Sequence, residues 1–303
     1  MRSLFLACWC VAAAASGWTH ADSIPALMPT HRNVVYGEAG GQKQLLDIFY
    51  PGMQKPRTPA PAILCIHGGA WRGGSKNDMG IVTLPLTKAD FVCVCVGYRL
   101  FDPKKHPDNI WPTQVDDVQR AVRFLRANAA NYGIDQQRLG AIGFSAGGHL
   151  AALLGTTDTR DNGDAALAKY SSRVQAVVDV FGPSDLTMDY SHLKMGDGTV
   201  QDLLDDFIGR SRSRDVIAKC RRDASPLFAV DRNSAPHLLY HGSKDPIVPV
   251  ENSRKFHAAL RKAGVDSDYV ELKDEGHTIS PPHIPGFIDK ITAFFRRTLA
   301  AKQ

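Results

Sequence analysis

Short runs of consecutive apolar residues alternate along this chain with segments whose apolar positions recur every three or four residues. The runs at 62–66, 91–98, 139–144, 174–181 and 236–240 are mostly apolar and carry almost no charge. Such runs read as strands buried on both faces. Segments 79–89, 250–263 and 287–299 have helical spacing between them. Pro112 opens a longer amphipathic helix, with Val115, Val118, Val122, Leu125 and Ala129 on one face and Gly133 at its end. Residues 33–38 and 45–50 flank Gly40-Gly41 and predict a β-hairpin, and 268–272 is a last strand. Strands alternating with helices predict an α/β architecture: a mainly parallel central sheet with helices on both faces. Sites in such sheets lie at the carboxyl ends of the strands.

One stretch breaks the alternation. From about residue 182 to 235 there is no clean strand, only mixed helical patterns at 200–208 and 215–220. That is too long for a simple connection. It predicts a cap inserted over the site, at about 186–226.

Composition narrows the picture. The chain has 303 residues, 44% hydrophobic and 22% charged, enough for one large core. Arg2, an apolar stretch at 4–15 and the small residues that follow read as a signal peptide over 1–21, with Thr19-His20-Ala21 the best cleavage site. The apolar stretch is shorter than the roughly 20 residues a membrane span needs. The expectation is therefore an exported protein, periplasmic or secreted, with no membrane span and a single domain over 22–303. The net charge of +5 includes Arg2, so the mature chain carries 5 − 1 = +4. No basic run is long or interleaved with aromatics, which argues against nucleic acid as a partner. Of six cysteines, four lie beyond the leader: Cys65, Cys93, Cys95 and Cys220. The first three sit in apolar strands and read as small buried residues. No C-x-x-C pair suggests a metal.

The chemistry is carried by Gly143-Phe144-Ser145-Ala146-Gly147, directly after the 139–144 strand and before a helical segment. A serine on a tight strand-to-helix turn is pushed out of the sheet, and its neighbours two residues away must lack bulk. The same turn places the Ala146 amide at a helix N-terminus, where it can donate to an anion. A serine nucleophile needs a base, and the base needs an acid to orient it. After a serine of this kind the acid precedes the base along the chain. His149 is one turn along the serine's own helix and points away. His192 lies in the cap, His257 inside a helix, and His237 and His241 flank a strand. His277 follows Asp274-Glu275-Gly276 directly after the last strand and is the candidate base, with His283 in reserve. Asp245, after the 236–240 strand and pinned by Pro246, is the candidate acid. Asp274, Glu275, Asp179 and Asp185 are its rivals, and His241 is read as a support for the acid's loop. The attacked carbonyl also needs N–H donors. His67-Gly68-Gly69-Ala70 follows the 62–66 strand. It offers the amides of Gly69 and Ala70, with Gly68 as a third, and His67 as organiser of the loop.

At these residues the chain resembles the α/β-hydrolase superfamily. Within it, the chain is similar to esterases with an H-G-G-x-W loop, of the hormone-sensitive-lipase-like and bifunctional feruloyl/acetyl-xylan esterase types. The resemblance runs from about Leu45 to Leu299 and includes Val96-Gly97-Tyr98-Arg99-Leu100, Tyr132-Gly133-Ile134-Asp135 and Ala224-Ser225-Pro226. It implies Ser145, Asp245 and His277 as triad, an oxyanion hole from the His67 loop and Ala146, and no metal or cofactor. Ala70 stands where hormone-sensitive-lipase relatives have a third glycine, with Trp71 following it, and H-G-G-x-W is also similar to kynurenine formamidases. Ester and arylformamide hydrolysis are both implied. An export signal favours esters outside the cell, such as acetylated or feruloylated polysaccharide. A catalytically inactive hydrolase-fold binding protein is the reading from another class, and the filled triad positions speak against it.

Overall fold

The computed structural model describes residues 28–161 and 163–301; the leader expected at 1–21 lies outside them. The elements run β1 (His31–Ala39), β2 (Gln42–Phe49), β3 (Ala60–Ile66), α1 (Gly80–Lys88), β4 (Val92–Val96), α2 (Thr113–Ala127), α3 (Ala129–Tyr132), β5 (Ile134–Phe144), α4 (Ala146–Thr156) and β6 (Ala176–Val180). A ribbon of β7 (Lys194–Met195) and β8 (Gly198–Thr199) follows, then α5 (Val200–Ile208), α6 (Arg214–Asp223), β9 (His237–Gly242), α7 (Glu251–Lys262), β10 (Ser267–Leu272) and α8 (Ile284–Thr298).

Among the described residues, eight strands form one sheet in the order β1-β2-β4-β3-β5-β6-β9-β10. β1 and β2 pair antiparallel, as do β2 and β4. The pairings from β4 through β3, β5, β6 and β9 to β10 are parallel. The hairpin turns on Gly40 and Gly41, both at positive φ (57° and 69°), the backbone that a two-residue turn between twisted strands requires.

Alternation along each strand divides the interior. Ala62, Leu64 and Ile66 face one side with Val115, Val118, Val122 and Leu125 of α2. Ile63 and Cys65 face the other, against Met79, Val82 and Leu86 and against Phe287, Ile291 and Phe295 of α8. Cys93 and Cys95 belong to that second cluster. The four cysteines among the described residues are free, and the three in strands pack as apolar residues. Every residue of α4 is buried, as expected of a helix enclosed between a sheet and a covering layer. No helix among the described residues is long and apolar enough to cross a membrane.

Two boundaries differ from the sequence pattern. The long helix stops at Asn128 rather than running to Gly133: the backbone leaves helical geometry there (φ −110°, ψ 18°), and the Asn128 side chain donates to the Phe124 carbonyl (2.9 Å). One further turn, α3, precedes the left-handed Gly133. β5 begins at Ile134, five residues before its apolar run, with an irregularity in its pairing to β3 between Ala60 and Ala62.

Candidate active site

Ser145 closes β5 at φ 54°, ψ −120°, a strained conformation for a residue with a side chain, costing on the order of 1–3 kcal/mol. Its amide donates to the Val180 carbonyl of β6 (2.9 Å), and its carbonyl accepts from His149 (3.0 Å). The two glycines of the motif are required by close approach. A Cβ on Gly143 would lie 2.1 Å from the Gly147 carbonyl oxygen, and one on Gly147 would lie 2.1 Å from that of Ile66. Ala146 opens α4, so its amide is among those with no partner inside the helix.

The loop after β3 lies directly against the serine. A Cβ on Gly68 would be 2.8 Å from the Phe144 carbonyl oxygen and 3.4 Å from Ser145 Cβ. Gly69, Ala70 and Trp71 then run through three successive positive φ values of 108°, 50° and 57°. The Gly69 carbonyl accepts from the amides of Arg72 (3.0 Å) and Gly73 (2.9 Å), which closes the turn. His67 is buried. Its Nδ1–H donates to the Gly68 carbonyl (2.8 Å), its ring stacks on Tyr98 at 4.3 Å, and the Tyr98 hydroxyl donates to the His67 carbonyl (3.0 Å). Burial lowers the His67 pKa, which suits a neutral histidine that organises the loop through its Nδ1–H.

Asp245 follows β9 with a fully buried side chain. Its Oδ1 accepts from the amides of Ile247 (2.8 Å) and Val248 (2.9 Å). Its Oδ2 accepts from His277 Nδ1 at 2.6 Å and lies 3.2 Å from His241 Nε2. Burial alone would raise this carboxyl's pKa. The hydrogen bonds from His241 and His277 outweigh it and hold the group well below the usual carboxylate range. With Nδ1–H given to a carboxylate, Nε2 of His277 is the nitrogen left to accept a proton. Loops 242–249 and 273–280 are stitched together: Ser243 N donates to the Leu272 carbonyl, Lys244 N to that of Glu275, and Lys244 pairs with Asp274 at 2.7 Å.

The rival residues are engaged elsewhere. Glu275 accepts from Ser280 Oγ and lies 3.3 Å from His283. Asp185 accepts from Thr187. Asp179, inside β6, accepts from the Gly182 amide at 2.9 Å. Among the histidines, His149 donates Nε2–H to the Ala224 carbonyl (2.6 Å), His257 meets Ser267 (2.9 Å), and His237 is held in the core by the Ala235 carbonyl (2.6 Å). His241 is buried, with Nδ1 on Ser253 Oγ (2.7 Å) and Nε2 on the Val248 carbonyl (2.8 Å). It therefore braces the segment that carries Asp245.

One residue at the site escaped the sequence reading. Phe181, just past β6, has φ 44°. Its ring packs 4.4 Å from that of His277 and 5.9 Å from that of Phe144, so it spans the gap between the base and the strand that ends in the serine. Positive φ at a phenylalanine leaves no compositional trace; the Gly182-Pro183 that follows was the available signal of a sharp turn.

Three buried groups away from the His277–Asp245 pair contribute to the pH response of stability. Burial pushes His149 and His237 down to about 4 and Asp179 up to about 6. Between pH 6.5 and 4 the unfolded chain takes up protons at the two histidines before the folded chain does. Each histidine therefore lowers stability by about 1.4 kcal/mol per pH unit as the pH falls through that window. Asp179 acts oppositely between about pH 6 and 3.8, where the folded chain holds the extra proton. The net expectation is a thermal midpoint that drops between pH 6.5 and 4. Asp179→Asn should raise the midpoint at pH 7 and steepen the acid-side drop. An unchanged pH slope in that variant would contradict the assignment.

The sheet order, the strand–turn–helix at Ser145 and the loops gathered at the carboxyl ends of β3, β5, β9 and β10 are those of the α/β-hydrolase fold. The chain belongs to the BD-FAE family, an α/β-hydrolase esterase family whose model matches residues 46–260. It is 35% identical over 252 residues to esterase LipC of Mycobacterium tuberculosis, a match covering 81% of this chain and 59% of that protein. Esterase LipQ of the same organism is 33% identical, over 81% of this chain and 56% of its own length. The chain thus spans less than two thirds of the length of these curated relatives. Among solved structures, a truncated carbohydrate esterase from gut microbiota superimposes with a TM-score of 0.74 at 28% identity, covering 89% of this chain and 96% of that one.

Proposed function

We propose that this chain is a serine carboxylic-ester hydrolase working through an acyl-enzyme. The observation that carries the reading is the 2.6 Å contact between His277 and a fully buried Asp245, set among the strand ends where Ser145 occupies its strained turn. In this reading His277 Nε2 takes the Ser145 proton as Oγ attacks the ester carbonyl. The tetrahedral oxyanion is met by amides of Gly68, Gly69, Ala70 and Ala146. His277 then protonates the departing alcohol and afterwards activates the water that frees the enzyme. Asp245 keeps the imidazole in the tautomer that makes this exchange possible. No metal or cofactor takes part in these steps.

For substrate, the reading names short-chain acyl or aryl esters, with acetylated or feruloylated polysaccharide as the class to be met outside the cell after export of the mature chain. Family membership, the esterase names of its relatives and the carbohydrate esterase among its structural neighbours support this. A panel of acetyl, butyryl, feruloyl and formanilide substrates tests it. Ester turnover by the free enzyme, and its loss when a fluorophosphonate labels Ser145, are the expected results. Formanilide cleavage without ester turnover would move the assignment to arylformamide hydrolysis. Failure of the probe to label Ser145 would point to an inactive binding protein.

A further inference from the structure

The segment between β6 and β9 grips the loop after β3 at two successive residues. Trp71 lies face to face with Phe207 of α5, ring centroids 4.0 Å apart and planes within 13°. The next residue, Arg72, pairs with Asp206 at 3.2 Å. On its edge, Trp71 donates its indole N–H to His149 Nδ1 (3.3 Å). His149 can accept there because its own N–H is given to the carbonyl of Ala224, just past α6. Phe207 is fixed in turn by its carbonyl, which accepts from the Trp111 amide at 2.7 Å.

Trp71 is 3% exposed and holds φ 57°. A bulky residue in the left-handed region is an outlier that lasts only where its surroundings over-determine it. Here the surroundings are Phe207 of α5, His149 of α4 and the Phe101 amide, which donates to the Trp71 carbonyl (3.0 Å). The same left-handed turn contains Gly69 and Ala70, whose amides the proposed mechanism assigns to the oxyanion.

We infer that Phe207, with Asp206 beside it, is a positioning residue for the oxyanion loop: α5 holds Trp71 in place, and Trp71 holds the turn that aims the amides at Ser145. The inference rests on the hydrolase reading above. It makes the inserted segment part of the catalytic geometry as well as a cover. A ligand that lifts α5 would slow turnover without touching the triad.

The test is Phe207→Leu, which keeps most of the volume and removes the flat stack, with Asp206→Asn as a second, partly buried site that pairs with Arg210 as well as Arg72. Three quantities are measured on an ester the wild type turns over: kcat, KM, and the inhibition constant of an aryl trifluoromethyl ketone. That inhibitor forms a tetrahedral adduct and needs the same amides. Misplaced amides should lower kcat of Phe207→Leu by about 10- to 100-fold. KM should stay within about twofold, and the ketone should weaken by the factor lost in kcat. Asp206→Asn should show the same pattern at a smaller factor. A purely structural stack would lower the thermal midpoint and leave kcat and ketone affinity unmoved, and that result overturns the inference, as does a loss confined to KM. Should Phe207→Leu not fold, Asp206→Asn decides, with unchanged kcat again overturning it. Failure of the hydrolase reading itself looks different, because the wild type would then show no Ser145-dependent turnover.

Discussion

Ser145→Ala is expected to reduce hydrolysis of a short nitrophenyl ester by about 10⁴- to 10⁶-fold, the range seen when a nucleophile that acts as a unit with its base is removed. The variant should fold. Alanine tolerates φ 54° no worse than serine, and the backbone bonds that fix the turn, Ser145 N to Val180 and His149 N to Ser145, do not use the hydroxyl. Thermal midpoint and circular dichroism should match the wild type while the rate and fluorophosphonate labelling disappear together. Retention of more than a tenth of the wild-type rate would remove Ser145 from the chemistry. Glycine at 143 and 147 is as necessary as the serine. With 2.1 Å between each missing Cβ and a neighbouring carbonyl, an alanine at either place displaces the elbow.

Much of this arrangement was legible in the chain. The parallel core strands announced themselves as uninterrupted apolar runs, because both of their faces are covered by helices. The hairpin was legible from Gly40-Gly41, which meets a backbone requirement few other residues satisfy. The elbow was legible because G-x-S-x-G states a steric demand as well as a chemical one. His277 and Asp245 stood out through their positions after strands, and the structure brings these two into contact. The remainder was hidden for physical reasons. Residues 134–138, Ile-Asp-Gln-Gln-Arg, extend β5 where Asp135 and Arg138 pair with each other at 2.7 Å, so the segment shows neither period of a strand. Asn128 and Gly133 are two stop signals in series, and the stronger one in sequence is not the first one used. The left-handed turn at 69–71 and the positive φ of Phe181 are imposed by packing partners far away in sequence, so no local propensity records them. The role of α5 belongs to the same class: Phe207 looks like any core position of an amphipathic helix until Trp71 is placed upon it.

Asp245→Asn separates orientation of the base from simple burial of a charge. Asparagine can keep its carbonyl toward the amides of Ile247 and Val248, which hold Oδ1 at 2.8 and 2.9 Å, so the loop should survive. The amide nitrogen then faces His277 Nδ1. Two N–H groups cannot share that contact, and the imidazole is driven to carry its proton on Nε2. In that tautomer it cannot accept the proton of Ser145. A loss in kcat of about 10⁴-fold is expected, as for the equivalent substitution in serine proteases, with KM little changed. His241, 3.2 Å from the same carboxylate, does not rescue it, because it is buried with Nδ1 on Ser253 and Nε2 shared between Val248 and residue 245. Asp179→Asn is the matched control: it removes a second buried carboxylate beside the site, one that accepts from Gly182 rather than from His277, and should stabilise the fold at neutral pH. If Asp245→Asn cost less than about tenfold while Asp179→Asn cost more, the acid would have to be reassigned to β6. The expected order, a collapse of turnover in the first variant and a gain in stability in the second, follows from which carboxylate touches His277.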